Sequence, residues 1–166
     1  MITKTYNLYT FDELDEKGKE KAREGYRNGN EYDFLSEDMT EYVNDLLKKA
    51  KINSNDIKVF YSLSYSQGDG AMIELSGTWK SYNVNVKQSG RYCHYNSKTI
   101  EITQTKNGRD ANEKAYNDFN EIYVDICKQL ESYGYKHIEY QDADENVDEN
   151  LAINEYTFLE DGTRHD

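Results

Sequence analysis

The sequence predicts an α+β fold: a mainly antiparallel sheet of about five or six strands packed against three or four helices. Three observations predict it. Apolar residues recur at helical spacing near both ends of the chain, and between them the period drops to two. Helices, then strands, then helices again is the order of an α+β domain rather than of alternating βαβ units. Finally, a chain only 36% hydrophobic and 31% charged still holds 16 Tyr, 5 Phe and 1 Trp. Disordered chains are poor in aromatics, so these residues indicate a packed, tyrosine-rich interior.

The elements follow in order. Residues 1–11 (MITKTYNLYTF) are β-prone and are expected to open a sheet. Asp15 to Arg27 forms a short helix with Leu14, Ala22 and Tyr26 on one side, its acids early and its bases late as the helix dipole favours. Arg27-Asn28-Gly29-Asn30 stops it. A second helix is expected over about 33–50, with Leu35, Met39, Tyr42, Val43, Leu46 and Ala50 in one stripe. From Ile57 the alternation sets Ile57, Val59, Tyr61, Leu63 and Tyr65 toward the core, opposite Lys58, Phe60, Ser62, Ser64 and Ser66. Asp69-Gly70 within SQGDG is a hairpin signal, with glycines on both sides of Asp69 to permit positive φ. Ala71, Ile73, Leu75, Gly77 and Trp79 resume the pattern, followed by Tyr82, Val84 and Val86, and by Thr99 to Thr103.

Asn112 to Tyr133 is the clearest helix. Ala115, Phe119, Ile122, Ile126, Leu130 and Tyr133 form its stripe, and Gly134 is expected as its C-cap. His137 to Tyr140 predicts a short strand, Asp144 to Asn154 an acidic helix, and Tyr156 to Glu160 a last strand. With 166 residues and no proline, one domain over 1–166 is expected, with a short polar tail from about residue 161.

The net charge is −12. Such a chain repels nucleic acid and anionic membrane and attracts basic surfaces, so neither direct nucleic-acid binding nor membrane association is expected. No apolar run approaches the ~18 residues of a span, and no signal-peptide pattern opens the chain. Two cysteines make no disulfide framework, so the expected compartment is a reducing cytoplasm. By segment, residues 1–56 carry −4, residues 57–100 carry +3, and residues 101–166 carry −11.

Candidate chemistry is sparse. Ser62, Ser64 and Ser66 with Gln67 and Asp69 form a polar hairpin face on the one non-acidic segment, a candidate ligand site for a nucleotide. A plain hairpin turn with an exposed sheet face accounts for nearly all of the same pattern. No base is grouped with the serines, as a nucleophile would need. Asp144, Asn146, Asp148 and Asn150, with Glu155, fall at calcium-loop spacing, but Glu149 stands where the sharp turn requires glycine. Cys93 and His94 are adjacent and would point to opposite faces of a strand, and no zinc spacing exists. No metal, cofactor or catalytic residue is assigned, and no enzymatic activity is expected. The acidic runs remain: Asp12, Glu13, Asp15 and Glu16; Glu37, Asp38 and Glu41; and Asp142, Asp144, Glu145, Asp148 and Glu149, the last two runs being the candidate partner-binding residues. They are either solvated helix faces or carboxylates that imitate a phosphate backbone and occupy a partner's basic groove.

FDELDEKGKEKAREGYR, FYSLSYSQGDG and NEYTFLEDG, spread over most of the chain, resemble a family of small acidic proteins encoded by phages and prophages. The resemblance carries no activity onto individual residues. It implies a phage setting in the bacterial host cytoplasm, where small acidic proteins counter host defence. The leading expectation is therefore a non-enzymatic, anti-CRISPR-like inhibitor that binds a basic surface on a defence effector. The alternative is a small-molecule-binding module that sequesters a nucleotide signal.

Overall fold

The computed structural model describes residues 1–165. The fold is α+β, with four α-helices and one four-stranded antiparallel sheet in the order β1-β2-β3-β4. The chain divides into two compact units: a central unit, Phe34–Lys136, and a terminal unit, Met1–Asp33 with His137–Asp166. The helices are α1 (Glu16–Gly29), α2 (Leu35–Lys49), α3 (Glu113–Asp142) and α4 (Asp144–Ile153), and a 3-10 turn at Phe11–Glu13 precedes α1. The strands are β1 (Ile52–Ser62), β2 (Gly70–Trp79), β3 (Tyr82–Gln88) and β4 (Lys98–Gln104). Among the described residues, no helix is long and apolar enough to cross a membrane.

In the central unit the sheet register follows the alternation of the sequence. Ile57 pairs with Leu75, Leu75 with Val86, and Val86 with Ile100, so one row of apolar side chains crosses all four strands on one face. β1 begins five residues earlier than the alternation predicts. A bulge between Ser54 and Asp56 inserts one residue, which reverses the face parity between Ile52 and Ile57. At the other end β1 stops at Ser62, and Tyr65 is 67% exposed with φ 56°, so it leaves the core face expected for it.

α2 packs against β1 through Leu35, Met39, Val43, Leu46 and Leu47, all buried. α3 buries Ala115, Phe119, Tyr123, Ile126, Cys127 and Leu130. The Tyr123 hydroxyl donates to the Ile73 carbonyl (2.7 Å) and accepts from the Ile73 N–H (3.2 Å), so its polar tip is satisfied on the sheet backbone.

Three expected boundaries are corrected. α3 does not end at Gly134 and the 137–140 segment is not a strand, because the helix runs on to Asp142. Leu130, Gly134 and Ile138 continue one stripe at four-residue spacing, and all three are buried. Gly134 is there for close approach: a Cβ would lie 2.5 Å from Leu63 Cδ1 and 3.2 Å from the Met39 sulfur. Residues 1–11 and 156–160 are not sheet strands. They meet only as an isolated antiparallel bridge, Tyr9 to Phe158, with a second bridge from Phe158 to Arg164. Four strands remain where five or six were expected.

The terminal unit has its own small core of Phe11, Leu14, Ala22, Val147, Leu151 and Phe158, with Tyr9, Tyr26 and Tyr156 packed at its edge. Phe11 and Phe158 meet edge-on at 6.3 Å. α1 starts at Asp15, whose side chain accepts from the Gly18 N–H at 2.7 Å.

Candidate functional site

The hairpin loop after β1 is organised by one carboxylate. Asp69 Oδ1 accepts from the hydroxyls of Ser62 (3.0 Å), Ser64 (3.0 Å) and Ser66 (3.2 Å). Its Oδ2 accepts from the N–H groups of Ser64 (2.6 Å) and Ser66 (3.1 Å) and from the Tyr135 hydroxyl (2.6 Å). Partial burial opposes the charge, but the bonds from Tyr135, Ser66, Ser64 and Ser62 outweigh it and hold the carboxyl well below its ordinary value. Burial, and then donation to Asp69, push the Tyr135 phenol up to about 12. The three serines and Asp69 are thus brought together as expected, but onto one another.

Only Gln67 of the five candidate residues faces elsewhere. It lines a cavity of about 470 Å³ with Gly68, Tyr92, His94, Asn96 and Ser97. Of the two glycines in SQGDG, Gly68 has positive φ (91°). Gly70 instead lets the next loop in, since a Cβ there would lie 2.9 Å from the Cys93 carbonyl. His94 Nδ1 accepts from the Asn96 N–H (3.1 Å), which leaves its other nitrogen to carry the proton in the neutral ring. Cys127 is buried, and burial raises its thiol to about 11, away from nucleophilic use.

The acidic candidates divide in two. Arg23, whose side chain is 12% exposed, grips Asp148 in a two-pronged pair, Nε to Oδ1 at 2.7 Å and Nη2 to Oδ2 at 2.9 Å. Arg27 pairs with Asp144 and donates to the Asp142 carbonyl at 3.0 Å. Asp142 Oδ2 accepts from the Tyr32 hydroxyl (2.8 Å), while its Oδ1 is buried without a hydrogen-bond partner. The Asp144 and Asp148 carboxylates tie α4 to α1, and the Asp142 carbonyl joins the end of α3 to the same arginine, Arg27. Glu145 and Glu149 point to solvent, with no bonded partner among the described residues. The calcium-loop pattern folds as helix α4, and among the described residues no cluster of three or more His, Cys, Asp or Glu side chains is placed to hold a metal ion.

In the central unit Glu37 and Glu41 lie along an open, exposed groove on α2 with Thr40 and Asp45. Asp38, more enclosed, lies with Glu41 near Tyr133; burial first, and then these acids, raise its phenol. Tyr133 stacks on Tyr42 at 4.1 Å. The net charge of the units is very different. The terminal unit has seven basic and 18 acidic residues, a net −11; the central unit has 13 and 14, a net −1.

A pocket in the terminal unit escaped the sequence reasoning. It has a volume of about 620 Å³, an apolar floor of Leu151 and Phe158 with Tyr26 and Tyr156, and Glu24, Glu31 and Asp33 at its rim. Its residues come from separate parts of the chain, and no periodicity joins them. The one signal was the concentration of acids toward both chain ends, since Tyr is spread evenly along the chain.

No family model matches the chain, and neither a curated protein nor a solved structure matches it.

Proposed function

We propose that this chain is a non-catalytic binding protein that presents its acidic terminal unit to a basic surface on a protein partner. In the phage setting implied by FYSLSYSQGDG, that partner is a host defence effector, and the chain is an anti-CRISPR-like inhibitor acting in the host cytoplasm. One observation carries the reading: −11 of the −12 net charge belongs to a single unit. The arginines of that unit already neutralise Asp144 and Asp148 internally. The acids left over, Glu145 and Glu149 among them, supply a field that attracts a basic groove and releases its counterions. Glu37, Asp38 and Glu41 lie in a nearly neutral unit and contribute less.

Capture of purified defence effectors on the immobilised full chain tests this. A complex is expected near 0.1 M salt and lost near 1 M, where the Debye length falls to about 3 Å. Glu145→Lys with Glu149→Lys is expected to weaken it. Complexes indifferent to both salt and charge reversal would overturn the proposal.

A second reading, a nucleotide-binding module, is favoured by the cavity beside Gln67, where Tyr92 offers a ring to a base and Asn96 and His94 offer polar groups. Ser62, Ser64, Ser66 and Asp69 leave that reading, since they saturate one another. A thermal shift with nucleotides that Tyr92→Ala removes would support it; no shift with any nucleotide would end it.

A further inference from the structure

The terminal-unit pocket combines an aromatic wall with three acids at its mouth, and Lys21 and Arg164 also line it. Tyr26 and Tyr156 are half-buried, and the negative surroundings are evident at Tyr26. Its phenol is raised by burial first, and then by Tyr156, Asp142 and Asp33. At the mouth, Glu24, Glu31 and Asp33 are exposed and make no hydrogen bond or ion pair among the described residues. The bases present are otherwise engaged: Lys21 pairs with Asp161, and the Arg164 guanidinium lies 3.7 Å over the Tyr156 ring.

We infer that this pocket is the anchor for an arginine side chain of the partner, its guanidinium lying against the Tyr26 ring beside the Arg164-covered Tyr156, with Glu24, Glu31 and Asp33 around it. The inference rests on the reading of the chain as a binder of basic protein surfaces, and gives that reading a point of attachment. Arg164 on Tyr156 is an example of the same contact within the chain. Arginine is favoured over lysine because its planar, weakly hydrated cation stacks on aromatic faces and meets carboxylates with two parallel bonds. A volume of about 620 Å³ is larger than one guanidinium needs, so it accommodates the aliphatic stem and flanking residues as well. Arginine and tyrosine are also among the residues enriched at interface hot spots.

The test is an NMR titration of the full chain with Nα-acetyl-arginine amide, Nα-acetyl-citrulline amide and spermidine. Citrulline keeps the shape and removes the charge. Arginine amide is expected to shift the Tyr26 and Tyr156 ring signals saturably, and citrulline amide to bind about tenfold more weakly or not at all, a difference of about 1.4 kcal/mol. Glu31→Gln with Asp33→Asn, at exposed positions, is expected to weaken arginine binding about fivefold without changing thermal unfolding. Equal binding of citrulline, the absence of a saturable shift, or tighter binding of spermidine than of arginine would overturn the inference. These probes contain no effector. A failed effector capture therefore leaves a positive titration standing, and a negative titration leaves salt-sensitive capture standing.

Discussion

The central and terminal units are stabilised in different ways. The central unit is close to neutral and is built on a continuous apolar face: four paired strands, with α2 and most of α3 supplying buried Leu, Val, Ile and aromatic side chains. The terminal unit has six residues in its core and supplements them with charge, the Arg23–Asp148 and Arg27–Asp144 pairs. Burial of apolar area is not screened by salt, whereas partly exposed ion pairs are. A small core thus goes with a unit whose surplus acids, Glu145 and Glu149 among them, stay exposed to solvent. In the central unit the one well-organised carboxylate, Asp69, is used up by its own loop.

Four variants would break or sharpen that contrast. Phe119→Ala removes a fully buried ring beside Trp79 and is expected to cost about 4 kcal/mol, read as a lower denaturant midpoint with little response to salt. Asp148→Asn removes the two-pronged pair of the enclosed Arg23, leaving it the exposed Glu20 at 3.3 Å and Glu16 at 3.9 Å, and about 1 to 2 kcal/mol of local stability should be lost. Hydrogen exchange would show this as faster exchange in α1 and α4, with the amides of β2 unchanged. If β2 responds equally, the two units do not have separate sources of stability.

Asp69→Asn is expected to cost about 1 kcal/mol, because hydrogen bonds to a charged acceptor are lost while the loop keeps partners for the amide. Its pH dependence has a definite sign. The folded carboxyl is held below the unfolded value of about 3.9, so its contribution is complete above that pH and drains away as the pH falls toward the folded value. The acid limb of a stability–pH curve should therefore be shallower in the variant than in the parent below about pH 4. Superimposable limbs would remove Asp69 as the organiser of the loop. The smallest effect on folding belongs to Glu145→Gln with Glu149→Gln. No change in melting temperature is expected, but partner capture near 0.1 M salt should weaken.

Much of the central unit was legible in advance because local pattern and tertiary demand agree there. Ile57 to Tyr61 and Ala71 to Trp79 alternate because one face is buried, and that face is where the register places them. Leu35, Met39, Val43 and Leu46 mark α2 for the same reason. The misses occur where one residue type serves two physical ends. Gly134 matches a helix cap by propensity, yet it lies inside α3 because Leu63 and Met39 leave no room for a side chain. The β-prone residues near both termini have strand propensity but find only the Tyr9–Phe158 bridge, and strand propensity without a partner makes no sheet. For the site, sequence identified the acids and the hairpin serines but not their bonding, since hydrogen-bond partners such as Tyr135 for Asp69 lie far away in the chain.

By itself the sequence determined the α+β class, the helices around Ala22, Val43 and Ile126, the antiparallel pairing of β1 to β4, and a strongly acidic whole. All of these depend on periodicity and composition, which are local or additive. Only the tertiary structure decided which carboxylates are committed to arginines, that Ser62, Ser64, Ser66 and Asp69 satisfy one another, and that Tyr26, Tyr156 and three free acids surround one pocket. Those outcomes depend on contacts between distant segments, where distance and direction select the partner and spacing along the chain carries no information.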